Sequence, residues 1–106
     1  MAVFEVEELE FHSLMAQEFE KKQIVILKFG SEYCDSYHAL EGELEDLEEE
    51  NENVSVLIID CNDCPDLTEQ YNIRKLPTMI IYKDVDTILF RYEGVVLSQD
   101  IEEIIS

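Results

Sequence analysis

A three-layer α/β/α domain with a mixed central sheet is the fold class this sequence predicts, and three observations predict it. Two long apolar runs, Ile24 to Phe29 (broken by Lys28) and Val54 to Cys61, read as strands covered on both faces. Segments of helical period precede each of them and supply the crossovers that parallel neighbours need. Two later runs, Met79 to Lys83 and Thr87 to Tyr92, flank the turn Asp84-Val85-Asp86 and read as a closing antiparallel hairpin.

Taken in order, Ala2 to Val6 is a short first strand. Glu7 to Lys22 follows as a helix, with Leu9, Leu14, Met15 and Phe19 along one stripe. The strand Ile24 to Phe29 runs through Gly30-Ser31-Glu32-Tyr33 into Cys34-Asp35-Ser36-Tyr37. From Ser36 to Glu50 the residues Tyr37, Leu40, Leu44 and Leu47 recur at helical spacing, with Asp35 or Ser36 as the N-cap. After the strand Val54 to Cys61, Cys64-Pro65-Asp66 opens a short helix through Tyr71, Pro65 being suited to its first turn. Leu76-Pro77-Thr78 leads into the hairpin, Gly94 punctuates, and Ser98 caps a last helix with Ile101, Ile104 and Ile105 inward. There are no repeats or linkers, and residues 1–106 read as a single domain.

Charge narrows the function classes. With 26 acidic against 7 basic residues the formal net charge is -19. Nucleic acid and anionic membrane surfaces repel such a chain, because binding to either depends on neutralising phosphates. No apolar stretch reaches the roughly 20 residues of a membrane span. The acidic start Met1-Ala2-Val3-Phe4-Glu5 lacks the features of a signal peptide. Three cysteines, an odd number, fit a reducing compartment better than a disulfide scaffold. A cytoplasmic monomer is the expectation.

The chemistry centres on Cys34. A strand, a short loop and a thiol at a helix start form the layout of a disulfide-exchange site, since a helix N-terminus stabilises the reactive thiolate. His38 follows one turn later, while Glu32 and Asp35 oppose the thiolate. A partner cysteine three residues on would complete a C-x-x-C pair, but Tyr37 holds that place. A lone thiol stops at the mixed disulfide until a second thiol releases it. Within the chain, Cys61 and Cys64 are the candidates for that role. Cys61-Asn62-Asp63-Cys64 is itself a C-x-x-C, which serves as a redox couple, as half a zinc site, or simply as strand core followed by a structural turn thiol. No second such pair exists and His12 and His38 lack finger-like spacing, so neither metal nor cofactor is expected. Lys28, inside an apolar strand, either tunes Cys34 or bonds the Tyr37 hydroxyl, or else snorkels past the strand end to a carboxylate.

From Ile24 onward the chain resembles the thioredoxin family. Phe29-Gly30-Ser31-Glu32-Tyr33-Cys34 is similar to that family's strand and loop ending in the nucleophilic cysteine, with Tyr33 where tryptophan is usual. Asp60 to Leu67 resembles its strand end and acidic turn, Tyr71 to Thr78 its approach to a proline with a cis peptide bond, and Gly94 the glycine flanking the site. The resemblance implies the thioredoxin fold, with a client groove formed by Leu76, Pro77, Thr78, Gly94 and Val95 and with Tyr33, Asp35, Ser36 and Tyr37 lining the nucleophile. It also places Cys61 at the end of a central strand beside that surface. Three departures stand out: Tyr37 for the resolving cysteine, Lys28 for a buried aspartate, and Asp35-Ser36 for glycine-proline. The first two belong together, since a chain without a resolving thiol needs no base to activate it.

The resulting expectation is a thiol redox protein working through Cys34 on a client protein or a low-molecular-weight thiol, with glutathione or a thioredoxin reductase as reductant. A non-catalytic binding module that docks a partner in the same groove is the alternative. A third reading, a monothiol glutaredoxin-like protein binding glutathione or an iron–sulfur cluster, meets the lack of the expected glycine-glycine and aspartate pattern around Gly94-Val95-Val96.

Overall fold

The computed structural model describes residues 2–31, 43 and 52–106. The helix expected over 36–50 lies outside the described residues, as do both of its N-cap candidates. Five strands form one sheet in the order β1-β3-β2-β4-β5: β1 Ala2–Glu5, β2 Ile24–Gly30, β3 Val54–Asp60, β4 Thr78–Asp84 and β5 Thr87–Glu93. β3 is parallel to both β1 and β2, whereas β4 runs antiparallel to β2 and to β5. The mixed sheet with a closing hairpin is thus the one the strand pattern predicts.

Alternation along β2 and β3 divides the core between the two faces of the sheet. Val25, Leu27, Phe29, Leu57 and Ile59 pack with Phe11, Leu14, Met15 and Phe19 of helix α1 (Phe11–Glu20) and Leu67 of helix α2 (Pro65–Gln70). Ile26, Val54, Val56, Met79 and Ile81 pack on the opposite face with Ile101, Ile104 and Ile105 of helix α3 (Ser98–Ile105). Layers on both sides explain why β2 is buried along nearly its whole length.

Two details differ from the sequence expectations. Leu9, placed on the buried stripe of the first helix, is 99% exposed. Residues Glu8–Glu10 form a 3-10 turn before α1 begins, so the helical phase starts at Phe11 and the inward stripe is Phe11, Met15, Glu18 and Phe19. Ser98 is the first helical residue of α3 rather than its cap, and the extended Leu97 before it offers no capping side chain. The Ser98 N–H donates instead to Glu43 Oε2 at 3.1 Å. Helix α2 is treated in the same way: its cap position, Cys64, makes no side-chain cap, and the Leu67 N–H donates to Glu8 Oε1 at 2.9 Å. Both helix starts therefore satisfy an orphan donor with a carboxylate remote in sequence, which also suits the helix dipole.

A carboxylate is also built into the α1 side of the core. Glu18, only 2% exposed, accepts from Ser55 Oγ at 2.7 Å and from Lys21 Nζ at 3.0 Å. Burial pushes its pKa up, but the hydrogen bonds from Ser55 and Lys21, with the Lys21 charge, outweigh this and hold it below the ordinary value.

Candidate functional site

The strand registers gather the described site residues at one end of the sheet. Phe29 pairs with Thr78, Gly30 with Asp60, and Thr78 in turn with Glu93. The C-terminal ends of β2 and β3, the N-terminal end of β4 and the exit of β5 thus lie side by side. Such strand ends in α/β sheets are where loops carrying function gather.

Hydrogen bonds lock this end together. Cys61 N–H donates to the Gly30 carbonyl at 2.9 Å, extending the β2–β3 ladder by one step. Ser31, 7% exposed, accepts from Asn62 Nδ2 at 2.9 Å, and Asp60 Oδ1 accepts from the Asn62 N–H at 2.8 Å. Asn62 therefore ties the turn after β3 to the segment that leaves β2. Sequence reasoning missed this clamp, although an Asp-x-Asn at a strand end is a recognisable turn signature.

On the other side, the Leu76–Pro77 peptide bond is cis, and Gly94 N–H donates to the Pro77 carbonyl at 2.8 Å. Thr78 is fully buried, with Oγ1 donating to the Lys75 carbonyl at 2.6 Å and closing the turn that presents Pro77. Gly94 has φ +129°, a backbone region that side chains with a Cβ rarely adopt. A Cβ at this position would stand 3.1 Å from Cε2 of Tyr92. Leu76 packs half-buried on the α1-side core, and Val95 packs on the α3-side core. The residues expected to form a client groove, Leu76, Pro77, Thr78, Gly94 and Val95, therefore sit around one sheet end, with the Thr78 side chain enclosed. Tyr33, Cys34, Asp35, Ser36, Tyr37 and His38 lie outside the described residues.

Lys28 lies one register step in from this end, between Ile58 of β3 and Met79 of β4. It is fully buried, so its amine does not reach solvent. The alternation of β2 turns it to the α3 side, opposite Phe29.

The two described thiols differ. Cys61 is half-buried just past the end of β3, its pKa raised chiefly by burial and by the Asp60 carboxylate, against opposing hydrogen bonds from Thr68 and the Gly30 backbone. Cys64 is fully buried in the α1-side core, and its Sγ donates to the Val6 carbonyl at 3.6 Å. Its pKa is raised by burial first and then by Glu8, Asp63 and Asp60. Both are free thiols that stay protonated at neutral pH and attack slowly. Native alkylation followed by mass mapping is expected to modify Cys61 at least about tenfold faster than Cys64. Equal rates would mean that the turn at Cys64 opens freely. Among the described residues no three histidine, cysteine or acidic side chains converge to hold a metal ion.

Comparison with known proteins gives a consistent result. The family model described as Thioredoxin matches residues 2–106. A thioredoxin of Chlamydia trachomatis is 34% identical over 61 residues, 58% of this chain and 60% of that protein. A thioredoxin of Echinococcus granulosus is 27% identical over 62 residues, 58% of each chain. The chain thus spans about three fifths of the length of the curated relatives it matches. Among solved structures, chloroplastic thioredoxin z superposes with a TM-score of 0.85 at 29% identity, covering 99% of this chain and 92% of that one. Spinach thioredoxin f superposes with a TM-score of 0.82 at 25% identity, covering 97% and 90%.

Proposed function

Because the chain belongs to the thioredoxin family, we propose that it is a thiol redox protein whose nucleophile is Cys34. The supporting observation is the sheet end itself: Pro77 and Gly94, bonded to one another, flank the end of β2 from which the chain continues through Ser31 towards Cys34. An extended client segment laid along the chain before Pro77 would bring its disulfide to that thiol.

In the proposed step the Cys34 thiolate attacks one sulfur of a client or glutathione disulfide. The client S–S bond breaks, a Cys34–S bond forms, and the other sulfur leaves as a thiolate that takes up a proton. Tyr37 at the resolving position cannot complete the exchange, so the mixed disulfide waits for a second thiol. Cys61 is better placed for this than Cys64, being half-buried at the sheet end rather than enclosed in the core, but its raised pKa makes it slow. Glutathione, or a reductase of the kind that serves the family, is therefore the proposed reductant, in a reducing compartment. Lys28, fully buried one register step in from this sheet end, is the side chain proposed to tune Cys34.

The test is intact mass and disulfide mapping after mild oxidation with glutathione. The expected product is a glutathione adduct on Cys34 that is abolished by Cys34→Ser. A Cys34–Cys61 bridge would instead mean an internal resolving thiol and a working dithiol reductase. If Cys34 stays unmodified while a control thiol oxidises, the redox reading fails and the same groove is that of a non-catalytic binding module.

A further inference from the structure

We propose that the free edge of β5, together with the cleft between β5 and α3, docks an extended segment of a partner protein whose large apolar side chains alternate with lysine or arginine. This surface does not depend on Cys34. It adjoins the Pro77–Gly94 groove at Val95 and faces a different way, along the outer edge of the sheet.

The backbone comes first. β5 ends the strand order, and the Gly94 N–H bond to the Pro77 carbonyl sets the phase of the β4–β5 ladder. Two-residue alternation then turns the backbone groups of Tyr92 towards β4 and those of Arg91 and Glu93 outward. Edge strands are commonly blunted by proline, by charge or by shortness. β5 is seven residues long and carries Ile88 at 55%, Leu89 at 38% and Tyr92 at 49% exposure. An apolar edge of this kind is suited to strand addition.

A place for side chains lies beside it. Phe90 and Tyr92, stacked with centroids 6.0 Å apart at 13°, form one wall of a cleft of about 420 Å³. Val95, Val96, Leu97 and Ile104 form the rest of its apolar lining, and Leu97 is 48% exposed. A strand added to β5 would project alternate side chains towards this cleft.

Charge selects the occupant. The exposed carboxylates of Asp100 and Glu103 line the cleft, and Glu93 ends the strand. A second copy of this chain, itself carrying a net charge of -19, would be repelled from such a surface. Basic side chains flanking apolar anchors would be attracted to it.

The test uses the full reduced chain and a cysteine-free nine-residue peptide alternating lysine with phenylalanine or leucine. Its control has every lysine replaced by glutamate. Fluorescence anisotropy is expected to show the basic peptide binding at least about tenfold tighter than the control, and weakening as salt is raised. Amide NMR shifts are expected at Arg91 and Glu93 and along the α3 wall of the cleft. Asp100→Lys with Glu103→Lys should weaken binding about tenfold, and the milder Asp100→Asn with Glu103→Gln should weaken it less. Equal binding of the two peptides, shifts confined to Leu76, Thr78 and Gly94, or unaltered affinity in both double variants would overturn the proposal.

Discussion

Replacing Gly94 by alanine is expected to destabilise the fold by about 1–3 kcal/mol. The cause is local. At φ +129° a side chain strains the backbone whatever space surrounds it, and here the new Cβ also meets the Tyr92 ring at 3.1 Å. Relief requires the backbone to turn, which pulls the Gly94 N–H away from the Pro77 carbonyl. The substitution therefore acts on the groove as well as on stability, and under the proposed function mixed-disulfide formation with a peptide disulfide slows with it. Urea unfolding of wild type and Gly94→Ala measures the first effect, and the rate of adduct formation measures the second. A stability change of a few tenths of a kcal/mol would show that the turn relaxes at no cost and would remove the argument for a glycine at this position.

Glu18→Gln is the second large effect, expected to cost about 1–3 kcal/mol at neutral pH. The buried carboxylate accepts from Ser55 and Lys21, and an amide in its place meets both donors with one of its two oxygens gone. The pH dependence has a definite sign. Because the folded pKa lies below the unfolded one, the contribution is complete above the unfolded carboxylate value of about 4.3 and is lost as pH falls through the folded value. The stability gap between wild type and Glu18→Gln should accordingly be full at pH 7 and shrink towards about pH 3. A gap that is the same at both ends would mean that folding leaves the Glu18 carboxyl unshifted, and one that widens as pH falls would mean that Glu18 is neutral in the fold. The comparison is within a pair of variants, so the titration of the other carboxylates largely cancels.

The fold was legible because its central strands carry a simple signal. Ile24 to Phe29 and Val54 to Cys61 are apolar on both faces, and both faces are covered. Where the reading slipped, the deciding interaction was irregular or distant. Leu9 fits a helical stripe in sequence, but the 3-10 turn at Glu8–Glu10 breaks the period and turns it out to solvent. Ser98 is a good capping residue by type, yet it is the first helical residue of α3, and its own N–H is one of the orphan donors, met by Glu43. At the candidate site, the Leu76–Pro77 turn and Gly94 were readable as motifs. The Ser31–Asn62 clamp was not, since it joins two unremarkable polar residues 31 positions apart. The contrast between Cys61 and Cys64 was also hidden in their shared motif. The first follows the end of β3, while the second turns beneath β1 to the Val6 carbonyl.

The remote carboxylates at the starts of α2 and α3 also bear on how the chain folds. Six and eight residues long, these helices are too short to persist alone, and neither begins with a capping side chain of its own. Their caps come from residues 59 and 55 positions away. Neither helix can then be an early, autonomous seed: each becomes stable after long stretches of chain have closed, at a considerable loop entropy. Assembly should accordingly be cooperative, with α2 and α3 ordering late against a sheet already in register, and a peptide covering either helix alone should remain a coil in water.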